Sequence, residues 1–255
     1  MRLPSHARCA LIVGILLVPS RLIAQRQTFE NVNAWASWFG DVELSKRWSI
    51  DHDLNWRRSG PVDELAQWLW RVAIRRTVSP NLRVAFGYAG SDTHPYGELP
   101  VAFRTPEHRL FEQLQLYHAV NRVQVTHRYR LEQRWTGRVA AVGGDTSVQN
   151  WVRTNRARYL ARATIPLQGK TLDAGEWFVN VGDEIFLNFG ANVAQNVFDQ
   201  NRMQGSIGRR LSSGVRLELG YVEQLIQKSN GRQLERNHTI TTALTTSFHL
   251  PGERH

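Results

Sequence analysis

The chain has 255 residues, room for one domain of ordinary size, and carries 32 basic against 22 acidic residues for a formal charge of +10. Its one cysteine, Cys9, falls in a segment expected to be removed, so disulfides, thiolate metal sites and cysteine catalysis drop out. Beyond that segment no apolar run approaches 18 residues, which leaves no helix able to span a membrane despite nine tryptophans.

Residues 1–24 have the layout of a cleaved secretory signal peptide. Arg2 and Arg8 supply the positive start, Ala10 to Val18 the short apolar run, and Leu22-Ile23-Ala24 the small residue before a cut at Gln25. Export makes nucleic acid an improbable partner for the basic excess. Lipid head groups, lipopolysaccharide phosphates or an anionic solute fit it better. An exported, tryptophan-rich chain without a spanning helix is either a secreted β protein or a barrel with apolar residues at every second position.

The remaining sequence supports the barrel. Alternating segments of about ten residues recur, separated by turn residues. In Trp48 to Arg57, Trp48, Ile50, Leu54 and Trp56 share one face, and Ser49, Asp51, Asp53, Asn55 and Arg57 the other. Leu82 to Ala89, Val123 to Arg134 and Thr239 to Phe248 alternate in the same way. Less regular segments cover 31–44, 64–78, 107–119, 151–165, 176–189, 199–211 and 215–226. Segment 64–78 also has helical spacing at Leu65, Trp68, Leu69 and Val72; its period-two set Trp68, Trp70, Val72 and Ile74 favours a strand. Short connections at 45–47, 79–81, 120–122 and 212–214 alternate with longer ones at 58–63, 92–106, 136–150, 190–198 and 227–235, while 166–175 is long where a short turn is due.

These segments number eleven. Single-chain bacterial barrels have even strand numbers, so the expectation is an all-β, antiparallel transmembrane β-barrel of about 12 strands over residues 25–250, with 10 as the alternative and a tail at 251–255. Trp48, Trp151 and Trp177 at segment starts, and Trp56 and Trp135 at segment ends, suit aromatic girdles at two membrane interfaces. The competing interpretation makes them core aromatics of a sandwich.

Several stretches resemble a bacterial family known only as domain of unknown function 2490 (DUF2490). The core is Glu107-His108-Arg109, Gln113, and the run His127-Arg128-Tyr129-Arg130-Leu131-Glu132-Gln133-Arg134. Further matches are Trp35 with Phe39-Gly40, Lys46 with Trp48, Gly87-Tyr88, Arg156 with Arg158-Tyr159, Glu184 to Asn188, Phe198 to Arg202, and Gly220-Tyr221 with Gln224. The resemblance spans roughly 30–248 and implies an outer-membrane-type barrel of a Gram-negative-type bacterium, with no assigned activity and no catalytic residues. Such chains usually stop near the last aromatic of the final strand; here Phe248 is followed by seven more residues.

Chemistry is sought on the polar face. Opposite the apolar sets lie Arg57, Arg71, Arg75, Arg83, Arg128, Arg130 and Arg134, joined by Arg156, Arg158 and Arg162 and by Asp51, Asp53 and Glu132. An Arg at mid-depth on the lipid side costs about 2–4 kcal/mol, so these side chains are expected to line the lumen. Two functions remain open: a porin-like passage or binding barrel for a small anionic solute, and a structural or accessory barrel filled by Arg–carboxylate pairs. Outer-membrane lipids, lipopolysaccharide and the barrel assembly machinery are the expected partners. No metal, cofactor or enzyme activity is expected. His127 and Glu132 are five apart and face opposite sides of a strand, and no Ser–His–acid set can be assembled from spacing.

Overall fold

The computed structural model describes residues 26–60 and 62–249. The signal segment with Cys9, and the tail from Leu250 onward, lie outside the described residues. Eleven strands follow one another: β1 Gln27–Glu43, β2 Trp48–Ser59, β3 Glu64–Ser79, β4 Leu82–Thr93, β5 Thr105–Val120, β6 Val123–Val142, β7 Asp145–Pro166, β8 Trp177–Phe189, β9 Phe198–Ser212, β10 Val215–Gln227 and β11 Gln233–His249. No helix among the described residues is long and apolar enough to cross a membrane.

The strands close into one barrel in which each pairs antiparallel with its sequence neighbours. Closure is by a parallel pair, β1 against β11, in continuous register from Gln27↔Gln233 to Glu43↔His249. This corrects the expected strand number: the barrel formed by the described residues has eleven strands, neither twelve nor ten. With an odd number the first and last strands run in the same direction, so they can only close in parallel. Segment 31–44 conceals no second strand; it is the single strand β1.

A row of paired residues starting at Phe29 on β1 and running round through β11 and down to β2 returns to β1 at Glu43, a stagger of fourteen residues. For eleven strands at ordinary strand spacing, that stagger sets a tilt of roughly 40° and a radius of roughly 11 Å. Each residue then rises about 2.5 Å along the axis, and a 12-residue strand such as β2 about 30 Å.

One end of the barrel carries the connections 44–47, 80–81, 121–122 and 213–214, the other those at 60–63, 94–104, 190–197 and 228–232. At the two-residue turn after β5, Asn121 takes a φ of 55°, a left-handed conformation that Asn tolerates better than most residues. The long connection 167–176 lies at the short-turn end, where Leu172 is buried and its carbonyl accepts a hydrogen bond from Arg210.

The loop expected at 136–150 is instead a hairpin. β6 and β7 continue pairing to Val142↔Asp145 and turn through Gly143 and Gly144, whose φ values of 62° and 94° suit the tight turn that matches strand twist. This ribbon projects past the other strands. Trp135 and Trp151 consequently lie within strands, whereas Trp48 and Trp177 are the first residues of β2 and β8.

Segment 64–79 is a strand for the reason its alternation gave. Trp68, Trp70, Val72 and Ile74 face outward and are 43–48% exposed, while Leu69 and Ala73 are buried inside. Part of the interior is filled by apolar side chains. Phe111 packs on Ala73, Ala89 and Ala85, and Gly87 makes room for it: a Cβ there would lie 2.5 Å from the Phe111 ring.

Candidate functional site in the lumen

Alternation along each strand puts the charged residues inside. On β6, Arg128, Arg130, Glu132 and Arg134 occupy successive inward positions, and register sets Arg130 opposite Arg158 and Glu132 opposite Arg156 on β7. Glu132, 1% exposed, is the hub. One of its oxygens accepts from Arg156 Nε at 2.8 Å and Nη2 at 2.5 Å, the other from Arg158 Nη1 at 2.6 Å. Arg156 Nη1 also donates to Asp199 at 2.8 Å, Arg158 Nη2 lies 2.8 Å from Glu184, and Arg128 donates to Glu184 at 2.9 Å. A chain of alternating charge, Asp199–Arg156–Glu132–Arg158–Glu184–Arg128, thus links β6 to β9 across the interior.

Smaller clusters surround it. Glu107 bridges Arg109 at 2.5 Å and Arg134 at 2.7 Å. Arg71 pairs with Asp53 at 2.7 Å, and Arg75 with Asp41 and Asp51 at 3.2 and 3.1 Å. Toward the short turns Arg162 meets Glu218 at 2.8 Å. Arg130 donates to Gln113, lies 3.9 Å from Glu132 and covers the Phe111 ring at 4.5 Å.

Inward arginines with no carboxylate within salt-bridge distance among the described residues include Arg57, Arg83, Arg202 and Arg216; Arg210, in phase with Arg202 on β9, bonds only backbone carbonyls. Arg83 lies over Tyr117 at 4.8 Å. Arg57 donates to the Gln67 amide at 2.8 Å, and its buried Nε has no partner. Arg202 hydrogen-bonds the Gln200 amide oxygen at 3.4 Å and the Gln224 amide, and lies over the Phe186 ring at 4.9 Å. Both guanidiniums stand over the same indole: the Arg57 carbon is 4.2 Å and the Arg202 carbon 5.3 Å from the Trp35 ring centre. A desolvated cation–π contact is worth about 2 kcal/mol, whereas taking an ion out of water costs several. The indole therefore does not balance two such charges.

The interior holds a cavity of about 200 Å³ toward the long loops and one of about 440 Å³ toward the short turns. Trp35, Arg57, Arg71, Arg158 and Arg202 line both, a shared layer that marks the partition of the lumen. Above the upper cavity, loop 94–104 tucks into the mouth. Tyr96 lines the cavity and donates to Glu235 at 3.4 Å, and the Glu98 amide donates to Asn31 at 3.1 Å. Burial, reinforced by Glu235, pushes the Tyr96 phenol above its ordinary range and keeps it a neutral donor.

Arg57, Arg71, Arg75, Arg83, Arg128, Arg130, Glu132, Arg134, Arg156 and Arg158 all point inward. The structure unites Glu132, Arg128, Arg156 and Arg158 in one network and leaves Arg57 and Arg83 without a carboxylate at salt-bridge distance among the described residues. Glu184 and Glu218 are also inside, whereas Glu112 is outside, bonded to Gln133. Trp35, Arg109, Arg202 and Arg216 are lumen residues that sequence reasoning missed. The period-two phase of β5 and β9 carried a signal for Arg109 and Arg202, blurred by apolar residues on both faces. His127 faces outward and bonds Tyr159 at 2.8 Å, away from Glu132.

The family model described as a protein of unknown function (DUF2490) matches residues 32–235. No curated protein matches the chain, and neither does any solved structure.

Proposed function

Because the chain belongs to the DUF2490 family of unknown function, it inherits no activity, and we propose that it is an outer-membrane β-barrel whose partitioned lumen binds a small anionic solute. The surplus of inward cations carries this reading. Arg57 and Arg202 sit at the partition with neutral partners only, where an anion would balance them.

Membrane placement is supported by the outer surface. Leu54, Trp70, Ile74, Phe86, Leu219 and Ile240 are each 44–56% exposed, and apolar residues so exposed cover much of the outer wall. Soluble monomers rarely show contiguous apolar surface on that scale, whereas an apolar band about 25 Å tall is what a lipid-facing barrel needs. The export signal read in residues 1–24 agrees with it. Outer-membrane lipids, lipopolysaccharide and the assembly machinery are then its surroundings. The expected result is recovery in the membrane fraction, extraction by detergent only, and heat-modifiable migration on gels. Recovery as a soluble periplasmic protein would overturn the membrane reading.

A binding barrel is favoured over an open channel by the side chains that fill the middle of the lumen, where Glu132, Arg156, Arg158 and Phe186 are 0–6% exposed. Planar-bilayer recordings on the purified protein are expected to show no steady conductance, and steady anion-selective current would replace binding with passage. The Glu132-centred network favours a second reading, a purely structural barrel, which predicts no saturable anion binding. No catalytic role is proposed.

A further inference from the structure

We propose that Arg57 and Arg202, set against Trp35, form a specific site for one oxyanion group, a phosphate or a carboxylate, entered from the long-loop end past Tyr96. The inference rests on the anion-binding reading above and gives it a location and a chemistry.

Three observations converge. Both guanidinium carbons lie within 5.3 Å of one indole centre, and both side chains line the same cavity of about 200 Å³. Each has only amide oxygens as partners, and Arg57 Nε, an N–H donor, is buried with nothing to bond. Elsewhere in the same wall Arg71, Arg109, Arg134, Arg156 and Arg158 each have a carboxylate within 3 Å. Unpartnered Nε groups occur at Arg71 and Arg128 as well; what marks Arg57 and Arg202 within this cavity is the missing carboxylate.

A guanidinium presents parallel N–H groups that match the paired oxygens of a carboxylate or phosphate. Two of them, from β2 and β9, line the one cavity and are the acid-free cations an oxyanion bound there would meet. The space fits. The adjoining cavity of about 200 Å³ is lined on that side by Asn33, Gln67 and Tyr96, neutral hydrogen-bonding groups suited to the uncharged remainder of a small solute. Asp199 and Glu107 line it too, but each is engaged by an arginine of its own. A chloride-sized ion would satisfy the charge and leave most of the N–H directions unused. The fork geometry points to an oxyanion.

The test is calorimetric titration of the purified, folded protein with inorganic phosphate and, separately, with succinate, at fixed ionic strength in chloride. Saturable binding of one probe is expected, and which probe it is identifies the source of the oxyanion. Arg57→Gln and Arg202→Gln are each expected to weaken it at least tenfold, and Arg57→Lys less than Arg57→Gln. Arg83→Gln, which removes an acid-free arginine at the other end of the barrel, is expected to leave affinity unchanged. Heat-modifiable migration of every variant checks that the barrel is closed. Absence of saturable binding of both probes overturns the proposal. Equal loss in the Arg83 variant, or none in the Arg57 and Arg202 variants, overturns the location. A protein that proves soluble yet binds phosphate through Arg57 and Arg202 would sink the membrane reading and keep the site.

Discussion

The two faces of the same strands invert the usual order of a folded protein. Glu132, Arg156, Arg158 and Glu184 are 1–6% exposed, while Tyr129 and Leu131 on β6 and Leu187 on β8 are 40–47% exposed. A soluble domain places these types the other way round. The inner face is held by pairing of charges, the outer by whatever solvent surrounds it. Substitutions on the two faces therefore report different physics.

The largest expected effect is inside. Glu132→Gln leaves Arg156 and Arg158 short of their shared carboxylate. Breaking one partner of a buried ion pair typically costs about 3–5 kcal/mol. Urea unfolding in detergent micelles should show a loss in that range, and a loss below about 1 kcal/mol would mean that the lumen is wet enough to replace the contact. The outer counterpart is Leu54→Arg. In a bilayer it should cost about 2–4 kcal/mol, measured by folding into vesicles. The same residue on a water-facing surface would change stability by under about 0.5 kcal/mol, so this substitution separates the two environments directly.

Gly87→Ala is a third probe, of packing inside. Its Cβ would meet the Phe111 ring at 2.5 Å and the Val72 carbonyl oxygen at 2.6 Å. Overpacking of this kind costs about 1–3 kcal/mol, and a lowered temperature of heat-modified migration would register it. The smallest effect belongs to Glu112, an outward carboxylate at the middle of β5 that accepts from Gln133. Carboxylates on a lipid face cost less than Arg or Lys. Glu112→Leu should raise stability in vesicles by less than about 2 kcal/mol, and a drop there would mark this strip as a contact with something other than lipid.

The alternation that separates the faces was legible in the sequence because it is local: two residues suffice to repeat it. Eleven segments are therefore visible, most of them close to their observed bounds, while β6, β7 and β11 extend six to eight residues beyond the expected ends. Strand number was lost at the final step, where a parity rule drawn from known barrels outweighed the count. Nothing local marks a parallel closure between β1 and β11, whose partners lie 206 positions apart at Asn31 and Asn237. The ten inward residues could be assigned a side in the same local way. Their partners could not, since Glu132 meets Arg156 only through the register of β6 on β7. The loneliness of Arg57 was hidden for the same reason, because it depends on what β1 and β9 bring across the barrel. Trp35 was read as part of a family signature, and its inward ring gave no separate signal.

The parallel seam has one more consequence. In an even-stranded barrel the two chain ends are neighbours, and a short turn could join them. Here the start of β1 lies beside the start of β11 at the long-loop end, and the end of β11 lies beside the end of β1 at the other. The strand start at Gln27 and the strand finish at His249 are thus separated by the full height of the wall. A tight turn cannot link them, so this barrel has no simple circular permutant. Labels placed at the two positions would report from opposite mouths.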